Sequence, residues 1–183
     1  MLNPTLSKIE IVRGMFQVGT SHITNASNGQ PTAATEPGVM RHQGVIMQLA
    51  KFKEDYWQLR NGEECHKEHP ETFWIPSLEE RQNLKVGDAA KVIFEIECET
   101  EDGEIIIEGE RGYLIVSEVI EDKYIGILDF QPLCIDKEDD DVYLQFGAEI
   151  PFSTEHVIDI DRPPEDYIKW QLSMKPERVW YRK

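Results

Sequence analysis

Apolar and polar positions alternate most regularly from Ala89 to Glu99, where Val92, Phe94, Ile96 and Cys98 are set against Lys91, Glu95, Glu97 and Glu99. Period-two alternation over that length describes a strand with one buried face and one wet face. Further strand-like runs cover 104–108, 112–120, 123–130, 149–152 and 157–160. Turn chemistry separates them: Glu101-Asp102-Gly103, then Glu121-Asp122 as a two-residue hairpin loop, then Phe146-Gly147. Strands spaced by roughly ten residues, with connections too short for crossover helices, predict an antiparallel meander that curls on itself. The expected fold class is mainly β (α+β): a small antiparallel, barrel-like sheet with one helix before it and one after it.

The period changes elsewhere. Val45, Leu49, Phe52, Tyr56 and Leu59 recur at helical spacing and predict an amphipathic helix over about 45–60, with Asn61-Gly62 as its stop. Ser77 and Glu80 match a capping box for a short helix that leads into the Lys85-Val86-Gly87-Asp88 turn. Pro164-Glu165-Asp166 opens a terminal helix that runs through Met174 and stops at Lys175-Pro176. Near the start, Lys8 to Val18 has the alternation of a strand or hairpin, and residues 20–38 are a loop rich in Thr, Ser, Asn, Ala, Gly and Pro. This divides the chain into an N-terminal extension, 1–70, and an acidic β domain, 71–183, that ends in a helix and a basic, aromatic tail.

Charge follows the same division. Residues 1–60 hold six Lys/Arg against four Asp/Glu, net +2; residues 61–166 hold eight against thirty, net −22; residues 167–183 hold five against one, net +4. A field of this sign speeds encounter with cationic partners. It argues against nucleic acid and anionic membranes, both of which need clustered Lys/Arg. The expected partner is a basic protein. The N-terminus shows neither a basic start nor an apolar stretch, and the three cysteines, Cys65, Cys98 and Cys134, are odd in number and widely spaced. A cytoplasmic protein without a disulfide framework is expected.

Several phrases occur together in the β segment: His69-Pro70-Glu71-Thr72-Phe73-Trp74-Ile75-Pro76, Leu84-Lys85-Val86-Gly87-Asp88, Ile127-Leu128-Asp129-Phe130-Gln131-Pro132 and Leu144-Gln145-Phe146-Gly147-Ala148-Glu149. Over roughly residues 71–161 the chain resembles the uncharacterised bacterial family known as domain of unknown function 2314. The resemblance implies no established activity. It does suggest an accessory or immunity-like role.

Candidate chemistry is sparse. Cys65, His66 and His69 adjoin one another, and on a helical turn they could converge on a zinc ion as the centre of a metal-dependent enzyme. The second ligand pair of a structural zinc site is missing, Pro70 limits the helix, and no cofactor is expected. The run Lys137-Glu138-Asp139-Asp140-Asp141 lacks the alternating donors and turn glycine of a calcium loop and is taken as a solvated acidic surface. None of the five histidines is accompanied by a nucleophile elbow, and no glycine-rich phosphate loop occurs. The expected function is therefore non-enzymatic binding, with Asp139, Asp140 and Asp141 meeting the partner and Phe73, Trp74 and Phe130 supplying aromatic contact. A self-associating structural protein, with the basic tail of one copy on the acidic domain of another, is the other alternative. Within one copy, the tail is expected to dock on the β domain with its rings buried and its cations at the rim.

Overall fold

The computed structural model describes residues 47–100, 102–139 and 141–182. The expected N-terminal strand and the loop at 20–38 lie outside them. Within them, six strands form one curled antiparallel sheet, a half-barrel: β1 (Trp57–Leu59), β2 (Ala89–Glu99), β3 (Ile105–Ile120), β4 (Lys123–Leu128), β5 (Glu149–Ser153) and β6 (Asp159–Asp161). The order is β1-β2-β3-β4-β5, and β6 also pairs with β2. Four helices accompany the sheet: α1 (Phe52–Asp55), α2 (Gly62–Glu68), α3 (Leu78–Gln82) and α4 (Glu165–Ser173).

Strand β2 pairs with β1 and β6 on one side and with β3 on the other, and it follows its sequence alternation. Val92, Phe94, Ile96 and Cys98 face the inside of the curl and belong to the main core, together with Leu114, Val116, Tyr124, Leu128, Ile150 and Phe152. The two expected strands at 104–108 and 112–120 are one, β3, which bends at an irregularity between Val116 and Glu118. A bulge there lets a single long strand pair first with β2 and then with β4. Ile120 pairs with Lys123, so Glu121-Asp122 forms the expected two-residue hairpin, with Glu121 at φ 54°. Gly112 on β3 faces inward, and a Cβ there would lie 1.8 Å from the ring of Phe130, which occupies that space.

The helix expected over about 45–60 is not formed in the described part of that segment. One turn, α1, ends at Tyr56 in a left-handed conformation (φ 62°), and the chain then becomes β1, pairing Trp57 with Ile96 and Leu59 with Phe94. A segment this short cannot hold a helix by propensity, whereas pairing with β2 buries Trp57 against Phe94 and Tyr143. Strand β1 thus brings residues from before position 71 into the sheet. Asn61, expected as a helix stop, is instead the N-cap of α2, its side chain accepting from the Glu64 N–H at 3.1 Å.

The tail closes the gap between β1 and β5. Trp180 meets Trp57 and Tyr143 edge-on, at 5.8 and 5.2 Å between ring centroids, and its indole N–H donates to the Gln48 carbonyl at 2.8 Å. Arg182 bridges antiparallel to Met47 and forms ion pairs of 2.8 Å with Glu118 and Glu149. Docking in extended form points alternate side chains away, so Tyr181 stays exposed. Trp170 of α4 is also exposed, because that helix turns Gln171 toward the sheet.

Candidate binding site

Between α2 and α3 the chain crosses the outer face of the sheet as Thr72-Phe73-Trp74-Ile75-Pro76 and walls an open groove of about 1010 Å³. This segment has no strand or helix of its own, so side chains and turns hold it. The Phe73 N–H donates to the His69 carbonyl at 2.9 Å, and the Phe73 carbonyl lies 2.6 Å from His66 Nδ1. At the other end, Arg81 Nε donates to the Pro76 carbonyl at 3.0 Å. Arg81 is buried, and its remaining reach goes to Glu63 Oε1 and the Thr154 carbonyl, both at 2.7 Å. A buried guanidinium bonded through Nε and Nη1 ties α2, α3 and the turn at Thr154–His156 to the groove wall. The capping box expected at Ser77 and Glu80 is present, and hydrogen bonds from the Ser77 side chain and backbone hold the Glu80 carboxyl below its usual range.

Trp74 projects from this fixed backbone with 74% of its surface in solvent, tilted against the His66 ring at 6.5 Å. The floor is polar. Lys91 lies over the Tyr113 ring at 5.1 Å and Arg111 over the Phe73 ring at 5.8 Å. Arg162 approaches Asp88 at 3.8 Å. Lys85, Lys91, Arg111 and Arg162 share the lining with Glu79, Glu80, Asp88 and Asp159, so the groove is balanced in charge within a strongly acidic protein.

Of the residues the sequence singled out, Phe73 and Trp74 come together at this groove. Phe130 does not: its ring packs edge-on against Phe94 at 5.5 Å, beneath Gly112. Asp139 and Asp141 lie on a separate loop knitted by its own turns, with the Asp141 N–H donating to Asp139 Oδ1 and Gln145 Nε2 donating to the Asp136 and Asp139 carbonyls; Asp140 lies outside the described residues. Cys65 is half-buried on α2, His66 is engaged with Phe73, and His69 is an exposed helix cap. Among the described residues no group of three or more His, Cys, Asp or Glu side chains is placed to hold a metal ion. Cys98 is buried in β2, Cys134 sits half-buried in a turn after Pro132, and burial pushes both thiols above their usual range.

One contact unexpected from the sequence is Ser153 Oγ, 3.1 Å from His156 Nδ1. Both residues are buried, and the Ser153 N–H also donates to Nδ1 at 3.1 Å. The pair caps a 3-10 turn and is closed to substrate. The groove residues sequence reasoning missed are Lys91, Arg111 and Arg162; the outward phase of β2 and β3 was the local signal for Lys91 and Arg111, and Arg162, just past the end of β6, had none. Compared with protein-family models, curated proteins and solved structures, the chain matches none.

Proposed function

We propose that the protein is a non-enzymatic binding module, an accessory protein that seats a segment of a basic partner protein in the groove beside Trp74. The observation that carries this reading is Trp74 itself, a large ring exposed on a backbone braced from both sides. Rigid exposed indoles beside a groove are where interfaces concentrate their energy. The balanced lining suits a peptide with mixed side chains better than a polyphosphate. The acidic surface outside the groove contributes attraction at long range, including the 137–141 loop.

The test begins by isolating a partner from the native source on the parent chain at low salt and measuring its affinity. Trp74→Ala is expected to weaken binding by about 2 kcal/mol, roughly thirtyfold and mostly in the off-rate. Neutralising Asp139, Asp140 and Asp141 to Asn is expected to slow association several-fold at low salt, an effect that fades as salt rises. A partner that binds Trp74→Ala as tightly as the parent would remove the groove from the mechanism, and no partner at any concentration would remove the reading altogether.

A further inference from the structure

The hairpin arm formed by the outer halves of β2 and β3 reaches past its neighbours. Strand β4 pairs with β3 only from Leu114 to Ile120, and near Glu110 the following loop takes its place, the Leu133 and Cys134 N–H groups donating to the Glu110 carboxylate. From Ile105 to Gly109, no strand among the described residues lies on the side of β3 away from β2. Hydrogen-bond phase tells which groups that edge displays. Both backbone groups of Val116 point to the β2 side, its N–H donating to the Asp88 carbonyl and its carbonyl accepting from the Gly87 N–H, and at the far end of the arm the Thr100 N–H donates to the Glu104 carbonyl. Antiparallel pairs alternate between bonded and non-bonded, so even-numbered β3 residues bond to β2 and odd-numbered ones turn their N–H and C=O outward. The Tyr113 carbonyl, which accepts from the Asp129 N–H on the β4 side, agrees. Among the described residues, Ile105, Ile107 and Gly109 therefore present unpaired backbone donors and acceptors along one exposed line.

Natural sheets blunt such an edge with Lys, Pro or a covering loop. Among the described residues this edge has no Lys, Pro or covering loop, and its one blunting device is the charge of Glu108, which suits a basic partner strand. Ile105 and Ile107 are exposed on its outer face, and a Cβ added to Gly109 would meet nothing within 4 Å. The opposite face carries Glu108. Between positions 95 and 110 the chain has eight Asp/Glu and no Lys or Arg. A second copy laid along this edge would bring those acids against themselves, which opposes self-pairing.

We infer that the open edge of β3 from Ile105 to Gly109 is a strand-addition site for a basic segment of alternating aliphatic and Lys/Arg residues. Backbone bonds to Ile105, Ile107 and Gly109 hold the added strand. Its aliphatic side chains lie beside Ile105 and Ile107, and its cations lie on the face of Glu108 within the field of the arm. The site lies beyond Arg111, the β3 residue that lines the groove, and is independent of Trp74.

The probe is a blocked synthetic peptide of alternating Ile and Lys, with a peptide of the same composition in scrambled, non-alternating order as control. Hydrogen exchange on the full-length protein should show the Ile105, Ile107 and Gly109 amides slowing on addition of the alternating peptide and much less with the control. Ile107→Pro removes one outward N–H without touching the ladder to β2, because proline is tolerated where the N–H faces away from the sheet. It should weaken peptide binding at least about tenfold, and Trp74→Ala should leave binding unchanged, which separates this site from the groove. Should Ile107→Pro not fold, Glu108→Lys serves instead and should weaken binding while the circular dichroism stays that of the parent. Equal protection by both peptides, protection confined to other amides, or edge protection that rises with protein concentration without peptide would each overturn the inference.

Discussion

Truncation after Met174 tests how the sheet is closed. It removes Trp180, which packs on Trp57 and Tyr143, and Arg182, the ion-pair partner of Glu149. Replacing a buried Trp by Ala costs about 3–5 kcal/mol, and Trp180 is only partly buried, so about 3 kcal/mol is the expected share of the ring. Glu149 is 8% exposed and accepts from the Trp180 N–H at 2.9 Å and Arg182 Nη1 at 2.8 Å. Stripping partners from a buried carboxylate costs about 3–5 kcal/mol. The two losses share neighbours and do not add fully. A total of about 4–6 kcal/mol is expected, a large part of the ~5–15 kcal/mol by which a domain is normally stable. Urea unfolding of the parent, the truncation and Trp180→Ala at low and high salt reads these terms. Since Arg182 and Glu149 are mostly shielded from water, the loss should change little with salt. Adding Glu149→Gln to the truncated chain should restore part of it, because a neutral amide costs less to bury than an orphaned carboxylate. A truncation that costs less than about 1 kcal/mol, or a loss that vanishes at high salt, would refute the argument; the first outcome would mean the tail does not close the sheet, the second that surface charge alone holds it.

Two further outcomes follow from buried contacts. Gly112→Ala places a methyl on the Phe130 ring and should cost about 1–3 kcal/mol by urea unfolding, while Gly112→Ala with Phe130→Leu should cost less than the sum of the two single changes; a neutral Gly112→Ala would show that the ring does not fill that space. Burial holds the His156 imidazole below its ordinary value of 6.5, with the Glu155 charge opposing, so the unfolded chain takes up the proton first as pH falls. The stability from a neutral His156 is whole above about pH 6.5 and is lost below it, at up to about 1.4 kcal/mol per pH unit. His156→Gln should flatten the dependence of melting temperature on pH between about 5 and 7, and identical slopes for parent and variant would remove His156 as its cause.

Where a structural choice depended on near neighbours in the chain, the sequence alone determined it. The alternation in Ala89–Glu99 states which side chains face the core, because successive strand residues must point to opposite sides. The Ser77 and Glu80 capping box, the Glu121-Asp122 hairpin and the Pro164 start of α4 are likewise readable, since each depends on local chemistry: side chains that satisfy neighbouring backbone groups, a two-residue turn, and a proline with a preset φ and no N–H to satisfy. The segment 45–60 has an apolar spacing common to a short helix and to an irregular run that feeds an edge strand; only the presence of β2, Tyr143 and Trp180 makes β1 the better place for Trp57. The long single β3 was hidden for a similar reason, since Gly109 and Gly112 weaken a strand by propensity and only cross-strand pairing and the Phe130 ring accommodate them. The candidate sites lay furthest from the sequence. The groove draws its lining from residues between 72 and 91, from Arg111 and from residues between 158 and 162, and the open edge exists because β4 ends opposite Leu114 and does not reach the first residues of β3. Both depend on how distant segments meet, which is settled when the whole chain closes on its core and not by any run of neighbouring residues.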